Sequence, residues 1–142
     1  ALSTIAARDP TYPAMSADRF KGRWTLLQIA PDGCRATCRQ RLAAGRAVRG
    51  LLHMDAARVR QALIVGDNTS ETAVSGVQPG VAVYRTKVED WQRLFASRHA
   101  DAPGTIYLID PGARWMAFYP PSIGADALHR DIKRLLALSG QP

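Results

Sequence analysis

Apolar residues in this chain come in two kinds of stretch: short dense runs bounded by Gly, Pro, Asp and Asn, and longer stretches where they recur every three or four positions. The first pattern marks buried strands and the second amphipathic helices. Trp24 to Ala30 (WTLLQIA) is the first dense run, set between Lys21-Gly22-Arg23 and Pro31-Asp32-Gly33. From Cys34 to about Met54 there is no proline, and Leu42, Gly45, Val48, Leu51 and Leu52 recur at helical spacing with arginines between them, which predicts a helix beginning at or near Cys34. Arg60 to Gly66 predicts a second buried strand closed by the turn cluster Asp67-Asn68-Thr69-Ser70. A weaker helical stretch over Glu71 to Val77 ends at Pro79-Gly80.

Val81 to Arg85 predicts a third strand, and Val88 to His99 a helix with Trp91, Leu94 and Phe95 at i, i+3 and i+4. Two further runs, 105–109 and 114–119, flank Asp110-Pro111-Gly112 and predict a hairpin. Ala125 to Ser139 places Leu128, Ile132, Leu135 and Leu136 on one face and Arg130, Lys133 and Arg134 on the other, a closing helix stopped by Gly140 and Pro142. Strands alternating with helices pair in parallel through helical crossovers, and the last hairpin adds an antiparallel edge. The expected class is α/β: a thioredoxin-like fold, with a central mixed sheet, a C-terminal β-hairpin and flanking helices.

Composition narrows this picture to one domain. A chain of 142 residues with 46% apolar content builds a single core. The expected domain is 21–140. Residues 1–20, with Pro10 and Pro13 and little periodicity, read as an extended leader. A chain opening at Ala1 is expected to have lost a signal peptide or membrane anchor. The formal charge of +7 excludes an acidic, calcium-buffering surface and favours an anionic partner. Between Arg35 and Arg60 stand seven arginines (35, 39, 41, 46, 49, 58, 60) and one acid, Asp55, so the excess is expected on the first helix, as a solvated face or one that docks on an acidic protein or anionic lipid. Without helix-turn-helix spacing, a zinc finger or interleaved aromatic and basic residues, nucleic acid is not the expected partner. No glycine-rich phosphate loop or Ser-His-Asp set is present either.

The two cysteines, Cys34 and Cys38, form a Cys-x-x-x-Cys motif at the junction of the first strand and first helix. Helical spacing puts both sulfurs on one face. Helix N-termini carry unpaired N–H groups and the positive end of the dipole, which push a thiol toward thiolate. Such a pair can form a disulfide, exchange with another disulfide or bind a soft metal such as Cu(I); inert thiols or a structural bridge are the alternatives. Zinc needs two more ligands, and no second Cys or His pair supplies them. Of the three histidines, His53 and His129 read as surface residues, whereas His99, ahead of a loop expected to approach the cysteines, is the candidate third metal ligand.

Gly22-Arg23-Trp24-Thr25-Leu26-Leu27, the Cys34/Cys38 motif, and Tyr107-Leu108-Ile109-Asp110-Pro111 followed by an aromatic-rich strand and a basic helix together resemble the Sco/SenC branch of the thioredoxin superfamily. The resemblance covers about residues 20–138, and is nearest to small membrane-anchored Sco-like proteins of proteobacterial cytochrome c oxidase operons. It implies a domain on the periplasmic side of the inner membrane, held by an N-terminal helix absent from this chain. The implied function is assembly of cytochrome c oxidase, by binding copper or by exchanging thiols with a respiratory oxidase subunit or other redox protein. Cys34 and Cys38 match the family's cysteines. The family's histidine does not carry over: Ala102 stands at its position, and His99 lies three residues early. The superfamily's cis-proline would fall next to Pro103, one residue out of register. The second expectation is a thiol-disulfide oxidoreductase or a redox-inert adaptor that binds a protein partner.

Overall fold

The computed structural model describes residues 20–66, 69–70, 72–74, 77, 79–87 and 104–139. Residues 1–19 of the leader expected over 1–20, the helix predicted over Val88 to His99, and the residues His99, Ala102 and Pro103 lie outside the described residues, while Phe20 is buried in the core.

Five strands form one mixed sheet. They are β1 (Trp24–Ala30), β2 (Val59–Gly66), β3 (Val81–Thr86), β4 (Ile106–Ile109) and β5 (Trp115–Tyr119), in the order β3-β2-β1-β4-β5. β1 pairs in parallel with β2, and β2 with β3; β4 runs antiparallel to both β1 and β5. The dense runs become the central strands because strands covered on both faces favour apolar side chains on both of them. The hairpin turn is built on Asp110, whose Oδ1 accepts from the N–H groups of Gly112 and Arg114.

Two α-helices are described: α1 (Ala36–Leu51) and α2 (Ala125–Ser139). α1 starts two residues later than expected, because the chain leaves β1 through a turn in which the Gly33 N–H bonds the Ala30 carbonyl. It also ends at Leu51 rather than near Met54, giving way to a 3-10 segment, His53–Arg58. The weak helix over Glu71 to Val77 appears, within the described residues, as a single 3-10 turn, Thr72–Val74.

Side-chain alternation splits the core by sheet face. Leu27, Ala62, Ile64, Tyr107 and Ile109 join Phe20 and Tyr84 on one face. Leu26, Ile106 and Leu108 on the other meet Val48 and Leu52 from the α1 side and Leu128, Ile132 and Leu136 of α2. At the C-terminal end of β1, Ala30, Leu63 and Val65 enclose Cys34, Cys38 and Leu42.

The first helix departs from its predicted faces at two positions. Leu51, expected inward, is 49% exposed. Arg41, expected among the solvated arginines, is 6% exposed, because the inward stripe runs Cys38, Arg41, Leu42, Gly45, Val48. The basic face is correspondingly smaller: Arg35, Arg39 and Arg46 are exposed, whereas Arg49 bonds the Ala56 carbonyl, Arg58 the Leu136 carbonyl and Arg60 the Lys21 carbonyl.

Candidate functional site

Cys34 and Cys38 form a disulfide, with Cα atoms 5.1 Å apart. Cys34 lies just before the helix; Arg35 is the N-cap residue, and Cys38 falls in the first turn. Arg35 makes no side-chain cap, and the first turn holds no acid, so nothing in that turn offsets the positive end of the helix beside the sulfurs. Local sequence dictates this approach. Gly33 adopts φ +109°, a left-handed conformation that L side chains rarely take, and this lets the chain reverse into Cys34. Two residues before Gly33, the Pro31 carbonyl accepts both the Gly66 N–H and the Thr69 hydroxyl, tying the cysteine loop to the end of β2. Thr69 is held in turn by Arg85 of β3, whose guanidinium donates to the Thr69 carbonyl.

Both cysteines are buried, Cys34 at 1% and Cys38 at 8% exposure, in an apolar surround. Beside Cys34 lies a cleft of about 490 Å³, lined also by Arg35, Ala36, Arg39, Ser70 and Thr72. The cleft is open to solvent while the sulfurs are shielded, so an oxidised pair meets a large partner only after local movement.

Two side chains that sequence reading passed over hold the pair in place. Gln28, in the middle of β1 and 3% exposed, donates its amide Nε2 to the Cys38 carbonyl at 3.1 Å and stands 3.7 Å from Cys38 Sγ. Its signal was a lone amide in an otherwise apolar central strand. Arg41 donates from Nε to the Gly104 carbonyl at 2.9 Å, from Nη1 to Ile123 at 2.8 Å and from Nη2 to Tyr119 and Pro120 at 3.4 and 3.3 Å. Burial pushes its guanidinium below the usual arginine range. Its signal was the inward helical stripe, three residues after Cys38. These bonds draw the entry to β4 and the β5–α2 loop against the cysteine helix. Gly104 allows that approach: its φ is +86°, and a Cβ there would lie 2.7 Å from Thr37 Cγ2.

The histidines do not complete a site within the described residues. His53 is exposed beyond the far end of α1, and His129 is half-buried on α2, with no hydrogen-bond partner for Nε2 among the described residues. No group of three or more His, Cys, Asp or Glu side chains that could hold a metal is found among the described residues. Cys34 and Cys38 are the paired sulfur donors among the described residues, and they offer two thiolates only once the bridge is reduced.

Residues 24–139 match the family described as transmembrane-like, thioredoxin-like, C-terminal domain. The chain belongs to that family. No curated protein matches it. Among solved structures, copper-bound ScoI of Bradyrhizobium japonicum is similar with a TM-score of 0.66 at 18% identity, over 94% of this chain and 99% of that one. Yeast Sco1 is similar with a TM-score of 0.75 at 11% identity, over 97% and 94%. The thioredoxin domain of a Bacteroides vulgatus thiol-disulfide oxidoreductase gives 0.67 at 17%, over 95% and 97%. At these identities the likeness is one of fold: the thioredoxin-like fold of Sco proteins, as the motifs implied.

Proposed function

We propose that this chain is the thiol- and copper-handling domain of a Sco-like assembly factor for a respiratory oxidase, working on the periplasmic side of the inner membrane. The observation that carries the reading is the Cys34–Cys38 pair at the head of α1, at the edge of a cleft with two exposed arginines. The motif resemblance to Sco/SenC proteins supports an oxidase subunit as partner, and that resemblance together with the copper-bound state of a similar fold supports copper as cargo.

In thiol exchange, the reduced pair attacks a partner's disulfide. The Cys34 thiolate, on the cleft side, bonds one partner sulfur and releases the other as a thiolate. Cys38 then attacks the mixed disulfide, closes the Cys34–Cys38 bridge and frees the second partner thiol. Two electrons pass from this protein to the partner. The same two reduced sulfurs suit Cu(I), the cargo that an oxidase copper centre needs. His99 is the proposed third ligand, from sequence alone.

Anaerobic Cu(I) titration against a chelator tests the copper branch: the reduced protein is expected to bind one ion, and Cys34→Ser/Cys38→Ser none. Equal affinity in the two proteins rejects copper handling. Burial of both cysteines favours a second reading, a structural bridge. A disulfide that dithiothreitol opens only when the protein unfolds would establish that reading instead.

A further inference from the structure

Gln28 lies under the cysteine pair with no evident role in building the sheet. It occupies the centre of β1, 3% exposed, where its neighbours Leu26 and Ala30 on the same face are apolar. An amide there needs partners to offset its desolvation. The carbonyl of Cys38 can only accept a hydrogen bond, so the group facing it is the NH2 end of the amide, and that same nitrogen is the atom 3.7 Å from Cys38 Sγ. The donor therefore sits between a backbone acceptor that is the same in both redox states and a sulfur that is not.

We infer that Gln28 is a positioning residue that biases the Cys34–Cys38 pair toward its dithiol form by donating to Cys38 Sγ. A disulfide sulfur is a weak acceptor and cannot ionise, while a reduced Cys38 in the first turn of α1 can become a thiolate, and donors to charged acceptors are the stronger class. The bond to the Cys38 carbonyl stabilises oxidised and reduced protein alike and cancels from the redox equilibrium. Only the sulfur contact remains in the difference. This deepens the thiol-handling reading and rests on it.

Gln61 is the internal control. It is 4% exposed on β2, and its amide donates to the Leu42 carbonyl, one turn further along α1, at 2.9 Å. Leu42 has no sulfur, so Gln61 supplies the helix-anchoring half of what Gln28 does.

The test equilibrates the full chain with dithiothreitol mixtures at pH 7 and counts free thiols by alkylation and mass. Two electrons pass from the dithiothreitol thiols, which close to a cyclic disulfide, to the Cys34 and Cys38 sulfurs, and the two protons released go to those sulfurs or, for a sulfur left as thiolate, to the buffer. Gln28→Met is expected to shift the equilibrium about tenfold toward the disulfide, a potential about 30 mV more negative. Gln61→Met is expected to leave it within twofold of the parent. Gln28→Asn, shorter by one methylene, serves if the Met variant does not fold and is expected to shift the same way. An unchanged equilibrium in a folded Gln28 variant overturns the inference, and so does an equal shift in Gln61→Met, which would trace the effect to helix seating. A pair that dithiothreitol does not reduce in the folded parent overturns the thiol-handling reading itself.

Discussion

α1 and α2 pack on the same face of the sheet and touch each other, yet their inward stripes are opposites. α2 buries Leu128, Ile132 and Leu136, all apolar. α1 buries Cys38, Arg41, Leu42, Gly45 and Val48, and rests on two buried amides, Gln28 and Gln61. The contrast separates two tasks. Apolar contact is non-directional and holds α2 down wherever it makes a good fit. Hydrogen bonds are directional, so the α1 set fixes one placement of Cys38 relative to β1 and to the loops around it.

The contrast breaks most visibly at Ile132. Ile132→Ala is expected to cost about 3 to 4 kcal/mol in urea unfolding, as for a large-to-small change in a closed core. It should do so equally with and without reductant, because α2 takes no part in the redox site. Arg41→Met keeps the aliphatic stem but takes a donor from four carbonyls, of which that of Pro120 still accepts from the Ile123 N–H. A loss of about 2 to 3 kcal/mol is expected, with faster amide exchange in the β5–α2 loop and at the entry to β4. A large effect on exchange in α2 itself would show that the two stripes are not separable.

The Tyr119 phenol joins the helices' shared layer to a charge. Burial pushes it up to about 12, and Asp131 of α2 adds to the rise through its negative charge and a hydrogen bond. A raised value means that folding favours the neutral phenol. Its contribution is complete below about pH 10, the unfolded value, and is lost as pH rises to about 12. Stability should fall by about 2 kcal/mol across that window, and Tyr119→Phe should flatten this part of the profile. The smallest effect is expected at Gly45. An added Cβ would lie 2.6 Å from Gln61 Nε2, so Gly45→Ala must displace that amide from Leu42. The helix-propensity gain of alanine offsets part of the loss, leaving about 1 kcal/mol of destabilisation. A stabilised variant would show that Gln61 moves aside freely.

Much of this layout was legible in the chain. The dense runs at 24–30 and 81–85 and the hairpin over 105–119 became strands within a residue of their predicted ends, and Ala125–Ser139 became α2 with its expected buried stripe. These are local patterns, in which a side chain's position relative to its neighbours three or two residues away reports its burial. The cysteine pair was legible for the same reason, at a strand-to-helix junction. Arg41 was not, because its residue type argues for solvent while its position argues for the core. Position prevailed once carbonyls from 63 to 82 residues away came within reach. Leu51 reversed in the opposite sense, left 49% exposed at the end of a helix that stops where the chain turns into a 3-10 segment.

The amino-acid order by itself determined the succession of the described strands and α-helices, the class of sheet and the place of Cys34 and Cys38 in it, since each follows from periodicity and turn chemistry over a few residues. Tertiary structure decided what the buried polar groups do. A glutamine in an apolar strand and an arginine on an inward stripe are costly until partners offset their desolvation. Those partners are Cys38 for Gln28 and Gly104, Tyr119, Pro120 and Ile123 for Arg41, brought within hydrogen-bond distance only by the closed sheet.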